Sequence, residues 1–523
     1  EMPAQLKSRQ ITAMASGGGN APRMAVGTAD GEVLFLKVGT TTEFTDQGER
    51  RKRPHIRAGQ PIPLTKSPIV RLAYRANDQG SLLALLSKGG RLLVVRIAAD
   101  DVAGDHPIIT ELPQPRGTVT ALALDALLEN LYVGTADGQV VHVALSETES
   151  PEMRAAYTVA ASSTAVTTLG FLSGDRSLVV MSEDGAVSTW GLVRRADAPS
   201  GWTLTQIHTL RPHNAPVTAF APSQRVKGFV TGDMKGNLFL HHATSSQTLL
   251  RLANSEFPIR AVAFAPKGDG LIALDGAGQL SLYQVQNAYP EVTLETLFGK
   301  VWYEGYDQPA HVWQSSSGSD DVEPKLGLLP LAFGTLKGTM YALFLAVPIA
   351  ILAAMCTSQF MHQDLRAKIK PIIEVMAALP TVVLGFLAGL WLAPLLARML
   401  PAVAGMELVL PLLVVVASFA WYLCPLSMKR HLPQGQEALL LIPILGLGIA
   451  GCLWANPLIE GWWFDGNVKA WLSSRLGIQY DQRNALVVGL VMGFAIVPVI
   501  YSIAEEALSN VPKIQIAGSL ALG

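Results

Sequence analysis

Six times within its first 285 residues the chain repeats one local pattern, and that repetition limits what it can fold into more than any other feature. Each copy has a short apolar strand, a turn carrying Asp-Gly or an equivalent glycine, and a second alternating strand. The copies are GTADGEVLFLKV at 27–38, LSKGGRLLVVRI at 86–97, GTADGQVVHVAL at 134–145, MSEDGAVSTWGL at 181–192, TGDMKGNLFLHH at 231–242 and LDGAGQLSLYQV at 274–285. A two-residue hairpin turn needs positive φ, which Gly and Asp supply at little steric cost. The turn glycines Gly31, Gly90, Gly138, Gly185, Gly236 and Gly278 are 42–59 residues apart. A further strand precedes each copy: ITAMAS, IVRLAY, VTALAL, VTTLGF, VTAFAP and IRAVAF. A period of about 40–50 residues with several short strands per unit predicts a β-propeller. Six units are visible and six to eight blades are expected, a seventh being completed by sequence before Glu1.

The repeats resemble WD-repeat blades, although the Trp-Asp dipeptide is absent and only Trp190 stands where a blade-closing Trp is expected. Architecture does not give function, because propellers host many. His106, His208, His213, His241 and His242 are scattered, and no acid pair recurs at fixed blade positions. His241 and His242 are neighbours on a predicted strand, so their rings point to opposite faces and cannot share a metal. No catalytic or metal site is expected. The basic runs GERRKRPHIR at 48–57 and VRRAD at 193–197 are read as solvated loops between strands, with contact to an acidic partner or lipid headgroups as the alternative.

Composition changes sharply along the chain. Of the 198 residues after Lys325, 20 are charged, against 61 of the preceding 325. The overall 15% charged and 50% hydrophobic residues are therefore an average over two regions in two solvents. Ordinary soluble domains carry about 25% charged residues. The division is 1–313 for the propeller, 314–325 for a Ser- and acid-rich linker (QSSSGSDDVEP), and 326–523 for a membrane domain. A net charge of -1 excludes the basic excess of a nucleic-acid binder. Cys356, Cys424 and Cys452 all lie in apolar stretches without metal-binding spacing, and are read as buried thiols. The chain opens on Glu1 and stops at SLALG, and is expected to be a fragment at both ends.

Five apolar segments reach or approach the roughly 18–20 residues that cross a bilayer, near 331–356, 372–397, 407–427, 438–455 and 485–503. Prolines 348, 380, 394, 425, 443 and 498 interrupt them, as in kinked multi-helix transporters. The fourth is short enough to be re-entrant. Arg366, Lys368, Lys370, Lys429 and Arg430 place two loops on the cytoplasmic side by the positive-inside rule. With five spans, the propeller then lies outside and the tail inside. The Trp-rich stretch between the last two spans suits an interfacial amphipathic helix.

The segments 326–355 and 365–391 resemble the phosphate-specific ABC transporter permease of the C-subunit type. The match rests on Gly334-Thr335-Leu336, then Arg366 and Lys370, then Glu374, Pro380, Thr381, Val382, Val383 and Gly385. Residues 480–523 resemble that family's helix leading into its cytoplasmic coupling loop. Pro512 turns the chain, and Ala517, Gly518, Ser519 and Gly523 occupy the positions of the family's Glu-Ala-Ala…Gly core. Ala517 departs from the Glu. The spans at 407–427 and 438–455 read as an inserted hairpin. Gly334, Thr335, Glu374, Pro380 and Gly385 are structural, with Glu374 expected to pair with Lys370 or Arg366 at helical spacing. Thr381, Arg483 and Asn484 are the candidates for the anion path.

The resemblance implies a non-enzymatic permease subunit in a bacterial inner membrane with a periplasmic propeller. It further implies no cofactor on this chain, with ATP and Mg on a partner ATPase dimer. A second permease subunit, a periplasmic phosphate-binding protein and membrane lipid complete the expected partners. No G-x4-G-K-[ST] occurs here to hold ATP. The alternatives are a permease for another oxyanion or small solute, and a membrane-anchored propeller scaffold or quinoprotein-like enzyme.

Overall fold

The computed structural model describes all of the chain except residues 1–2, 8, 19–22, 45–49, 99–106, 146–150, 162–163, 197–200, 315–322, 362, 426–439, 483 and 523. It divides into two units, Glu1–Pro330 and Leu331–Gly523. The first is a six-bladed β-propeller and the second a set of helices, five of them long and apolar enough to cross a membrane.

A short helix α1 (Ala4–Lys7) precedes blade one, built from β1 (Ile11–Ser16), β2 (Arg23–Thr28), β3 (Glu32–Phe44) and β4 (Arg50–Ala58), with β5 (Ile62–Pro63) pairing β3. Blade two is β6 (Ile69–Asn77), β7 (Gly80–Ser87), β8 (Leu92–Ala98) and β9 (Ile108–Leu112). Blade three is β10 (Val119–Leu124), β11 (Asn130–Thr135), β12 (Gln139–Ala144) and β13 (Glu152–Thr158). Blade four is β14 (Val166–Phe171), β15 (Ser177–Ser182), β16 (Val187–Arg194) and β17 (Trp202–Leu210). Blade five is β18 (Val217–Pro222), β19 (Gly228–Asp233), β20 (Asn237–His242) and β21 (Gln247–Ala253). Blade six has three strands among the described residues, β22 (Ile259–Phe264), β23 (Gly270–Asp275) and β24 (Leu280–Gln284). All pairings are antiparallel.

The turn glycines adopt the conformation their spacing predicts. Gly236 has φ +79°, and a Cβ there would sit 1.9 Å from the Ser255 carbonyl oxygen. The Gly236 carbonyl accepts the Asn254 amide at 3.0 Å, as Gly185 accepts His213 at 2.9 Å and Gly138 accepts Val159 at 2.9 Å. Each turn is thereby tied to the chain leaving for the next blade. Between successive blades, the first residue of the later inner strand fills the space beside the preceding blade. A Cβ on Gly232 would meet Ile259 at 2.5 Å, and one on Gly134 would meet Val166 at 2.8 Å. Thr120 and Thr218 donate across the same seams to the carbonyls of Val166 (2.6 Å) and Ile259 (2.5 Å).

Blade five carries a buried polar chain. The His213 ring meets Asp233 Oδ2 at 2.9 Å through Nδ1 and Thr231 Oγ1 at 2.6 Å through Nε2. Thr231 Oγ1 also meets His241 Nε2 at 3.0 Å, and Phe239 stacks on His213 at 3.8 Å. Asp233 accepts the amides of Lys235 and Asn237, both at 2.9 Å. Trp190 is buried in blade four, donating through Nε1 to Ser188 Oγ at 2.9 Å.

Two expectations for this unit change. The basic run at 48–57 is not a loop: residues from Arg50 on form β4, paired along β3, with Arg53 bonded to Glu43 at 2.9 Å. An outer strand open to water tolerates charge on both faces, so it shows no alternation. Of 193–197, Val193 and Arg194 end β16, and Asp197 lies outside the described residues. The linker also has a structured end. Residues beyond blade six form α2 (Leu294–Phe298) and a two-stranded pair, β25 (Trp313–Gln314) with β26 (Lys325–Leu326). Glu304 takes the Lys227 ammonium at 2.6 Å and the Ser177 hydroxyl at 2.6 Å, while Glu323 accepts the Thr244 hydroxyl and the Glu304 amide. This segment is bolted to blades four and five.

Burial holds several propeller histidines neutral. It pushes His142, His208 and His242 down to about 4 and His241 to about 3, and lowers His213 despite the opposing pull of Asp233. Unfolded, these rings titrate near 6.5. As pH falls through that value the unfolded chain binds protons that the folded propeller refuses, so stability falls with pH. Chemical denaturation followed by Trp fluorescence is expected to give a lower midpoint at pH 5 than at pH 7.5; a midpoint unchanged or higher at pH 5 contradicts this account.

Candidate functional site

The second unit starts from close helix packing. The span α3 (Leu329–Met355) buries Gly338, Ala342, Ala346, Ala350 and Ala354, spaced four apart on one face. Opposite lies α10 (Ala485–Ser509), where a Cβ on Gly489 would approach Tyr341 Cβ to 2.6 Å and one on Gly493 the Ala342 carbonyl to 3.0 Å. Small residues at i, i+4 let two membrane helices approach backbone to backbone. Further along, the Tyr501 hydroxyl donates to Thr357 Oγ1 at 2.9 Å, and both are buried.

One turn beyond Tyr501 the seam ends in charge. Glu505 is buried, its side chain 2% exposed. It pairs with Arg366 and, at 3.2 Å, with Lys370, both on α4 (Gln363–Ala377). Ser509 Oγ accepts from Arg366 at 2.5 Å and donates to Glu505 at 3.0 Å. Arg366 and Lys370 lie one turn apart on α4 and straddle a single carboxylate on the facing helix. The expected pairing of Glu374 with these residues is therefore replaced: Glu374 is exposed on α4, and their partner is Glu505. Helical spacing finds neighbours along one helix, whereas a carboxylate buried between helices is costly to leave unpaired and so takes the nearby cations.

Directly after this cluster, Asn510 ends α10, and Pro512 opens α11 (Lys513–Ala521), its carbonyl taking the amides of Gln515 (3.0 Å) and Ile516 (3.3 Å). Ala517, Gly518 and Ser519 are exposed along α11, and Gly523 lies outside the described residues. The coupling-loop candidates thus form a short, uncovered helix separated by one proline turn from the Glu505 cluster.

The path candidates separate. Thr381 opens α5 (Thr381–Leu387), which continues through a π-helical turn at Ala388–Leu392 into α6 (Ala393–Arg398). With Gly385, it lines a groove of about 610 Å³ against Val487, Val491 and Met492 of α10. Asn484 caps α10, accepting the amides of Leu486 (3.1 Å) and Val487 (3.0 Å). Arg483 lies outside the described residues. Gly334 sits in open space on α3, and Thr335 bonds back to the Leu331 carbonyl at 2.8 Å. Pro380 precedes α5 in extended conformation, breaking the helix run from α4. The second span accordingly begins at Thr381 rather than 372.

The remaining helices are α7 (Leu400–Leu423), α8 (Leu441–Trp463) and α9 (Val468–Leu476). α7 and α8 pack as a hairpin, with Asn456 Oδ1 accepting the Ala402 amide at 3.0 Å. α8 is a full 23-residue helix rather than a short re-entrant one. Cys356 is exposed, Cys424 half-buried and Cys452 buried, so of the three only Cys452 is the buried thiol expected. Among the described residues no group of His, Cys, Asp or Glu could hold a metal. His241 bonds Thr231 and Thr248, and His242 bonds Ser245, so the adjacent rings serve different neighbours. His106 lies outside the described residues. Sequence reasoning does not single out Glu505, Ser509, Tyr501 or Thr357; the available signal is an acid pair, Glu505-Glu506, closing a 25-residue apolar helix.

No family model matches the chain. Over 78 residues it is 31% identical to the probable ABC transporter permease protein YqgH of Bacillus subtilis (strain 168), covering 15% of this chain and 25% of that protein. The chain thus spans about a quarter of that relative. Among solved structures it is similar to the β-propeller domain of Cps50 (Swd1) from Myceliophteria thermophila, at 15% identity and a TM-score of 0.40, covering 53% of this chain and 84% of that one. A chain of the mitotic checkpoint complex gives 16% identity and a TM-score of 0.39 over 54% of this chain and 76% of that one. The chain is a propeller joined to an α-helical membrane domain with an ABC permease relative.

Removing Arg366 leaves the buried Glu505 charge with a single cation, the half-exposed Lys370, beside the Ser509 hydroxyl. Arg366→Ala is expected to lower stability in detergent by about 2–4 kcal/mol, and Lys370→Ala by less than about 1 kcal/mol. A double-mutant cycle with Glu505→Gln should show coupling to Arg366 above about 0.5 kcal/mol; additive effects would remove the ion pair as a structural element.

Proposed function

We propose that the chain is a permease subunit of an ATP-driven phosphate importer, forming part of the translocation path and passing movement to a separate ATPase. The observation that carries this reading is the sequence of parts at the end of α10: a buried carboxylate clamped by two cations, a proline turn, then a short exposed helix. An anchor for a propeller has no need of a charged brace directly before a short exposed helix. A subunit that must transmit force has. The similarity to an ABC permease supports the same reading, and the motif Glu374, Pro380, Thr381, Gly385 supports the phosphate class.

In this reading ATP and Mg bind the partner ATPase dimer, and α11 docks on it in the cytoplasm. Closure of the dimer moves α11, and the Glu505 cluster carries that movement to α4 and along α10. The groove at Thr381 is almost wholly apolar, so a dehydrated anion would find one hydroxyl there and no positive charge. A second permease subunit therefore completes the path, and a periplasmic phosphate-binding protein delivers the anion. The propeller faces the periplasm of a bacterial inner membrane as a docking or regulatory module. The chain itself is not an enzyme.

The test is reconstitution of the complete permease pair with its ATPase in vesicles. Uptake of radiolabelled phosphate is expected, dependent on ATP and on the binding protein. Uptake of sulfate but not phosphate would overturn the substrate, and binding of the ATPase without uptake of any oxyanion would overturn the importer reading.

A further inference from the structure

Among the described residues, the propeller does not close on itself. Inner strands pack in series, β1 on β6, β6 on β10, β10 on β14, β14 on β18 and β18 on β22, but no comparable packing returns β22 to β1. The consequence is written in the side chains of blade six. Leu280 opens β24 and is 55% exposed, whereas its counterparts Val33, Leu92, Val140, Val187 and Leu238 are 0–2% exposed. Ile272 is 40% exposed, against 0–4% for Ala25, Ala84, Tyr132, Val179 and Val230. Leu282, 71% exposed, shares their face. The opposite face of blade six, with Leu271 and Ala273, is buried against blade five. Only the face that should meet a following blade is uncovered.

Blade one mirrors this. Ile11 opens β1 at 36% exposure, while Ile69, Val119, Val166, Val217 and Ile259 in the same place are 0–8% exposed. Leu6 of α1 covers Val26, Leu34 and Leu36 on that side, leaving Ile11 and Met14 open. The turn glycine of blade six also lacks a neighbour: a Cβ on Gly278 would meet nothing within 4 Å, whereas one on Gly236 would strike the Ser255 carbonyl.

The five finished seams say what covers such a face. Val140 packs with Val166, and Leu238 with Ile259, each the first residue of the next inner strand. We propose that the free face of blade six receives a seventh β-blade of this same repeat, carried by polypeptide of the same product outside residues 1–523 and entering on the β1 side. The chain after β24 is not its source, since it runs through the segment fixed to Lys227 and Thr244 and then into α3. The occupant is specified chemically: an antiparallel sheet whose inner strand opens on Val or Ile and alternates in the manner of VTALAL. A closed seven-bladed ring removes an apolar strip that water would otherwise cover. This inference is independent of the transport reading.

The test uses the complete product in its native membrane complex. Leu282 is replaced by p-benzoylphenylalanine and irradiated, and the crosslinked peptide is read by mass spectrometry. The same substitution at Leu238 serves as the internal standard and should capture the Ile259 strand. The expected product at 282 is a peptide of the repeat type from outside residues 1–523 on the same polypeptide. In parallel, Leu280→Cys should be protected from a membrane-impermeant maleimide to the extent expected of Val140→Cys, whose position is fully buried. Capture of β1 would mean the ring closes at six. Capture of lipid, of a second copy or of an unrelated protein, or free labelling at 280, would each overturn the proposal.

Discussion

A blade of this propeller has one apolar face that only the next blade's inner strand can take out of water, and the whole first unit is organised by that dependence. Ile69, Val119, Val166, Val217 and Ile259 each sit beside the preceding blade, some at glycines where any larger residue would collide. Burying such a side chain is worth about 1.5–3 kcal/mol, and the threonine that follows adds a hydrogen bond across the seam in two cases. Register, blade order and ring geometry all follow from that contact. Where it is missing, at blade six, the molecule shows exposed leucines instead of a finished edge.

The membrane unit solves a different problem with smaller residues. Lipid offers no hydrophobic drive between helices, so α3 and α10 associate through glycine and alanine faces and through polar groups with nowhere else to go. Tyr501 with Thr357, and Glu505 with Arg366, Lys370 and Ser509, form one line of satisfied polar groups along that interface. Its last member lies a proline turn from α11. In the proposed permease, a displacement of α11 would act on this charge-locked joint rather than on a frayed helix end.

The inner three strands of each blade are legible in the sequence because half-buried strands alternate and their turns demand glycine. The outer strands are not: β4 is charged on both sides because both sides meet water, so its residues resemble a loop. Apolar length locates the five spans, but hydropathy runs straight through Pro380, where the helix actually breaks. It also stops early at Asn456 and Glu460, whose polarity is absorbed by the Ala402 and Val468 amides inside the unit. Of the site, Pro512 and the short helix after it are visible as a motif. Glu505 is not, since a carboxylate on an apolar helix declares its partners only when a second helix is brought alongside.

The central claim is that α11 delivers movement from an ATPase to the membrane helices. Its most direct measurement is disulfide crosslinking of an Ile516→Cys variant to cysteines placed along the cleft of the partner ATPase, in membranes with and without ATP. The account predicts crosslinks formed from the cytoplasmic side whose yield changes when ATP binds. Labelling of the introduced thiol from the opposite side of the membrane, or crosslinks to no ATPase position in either state, would contradict it.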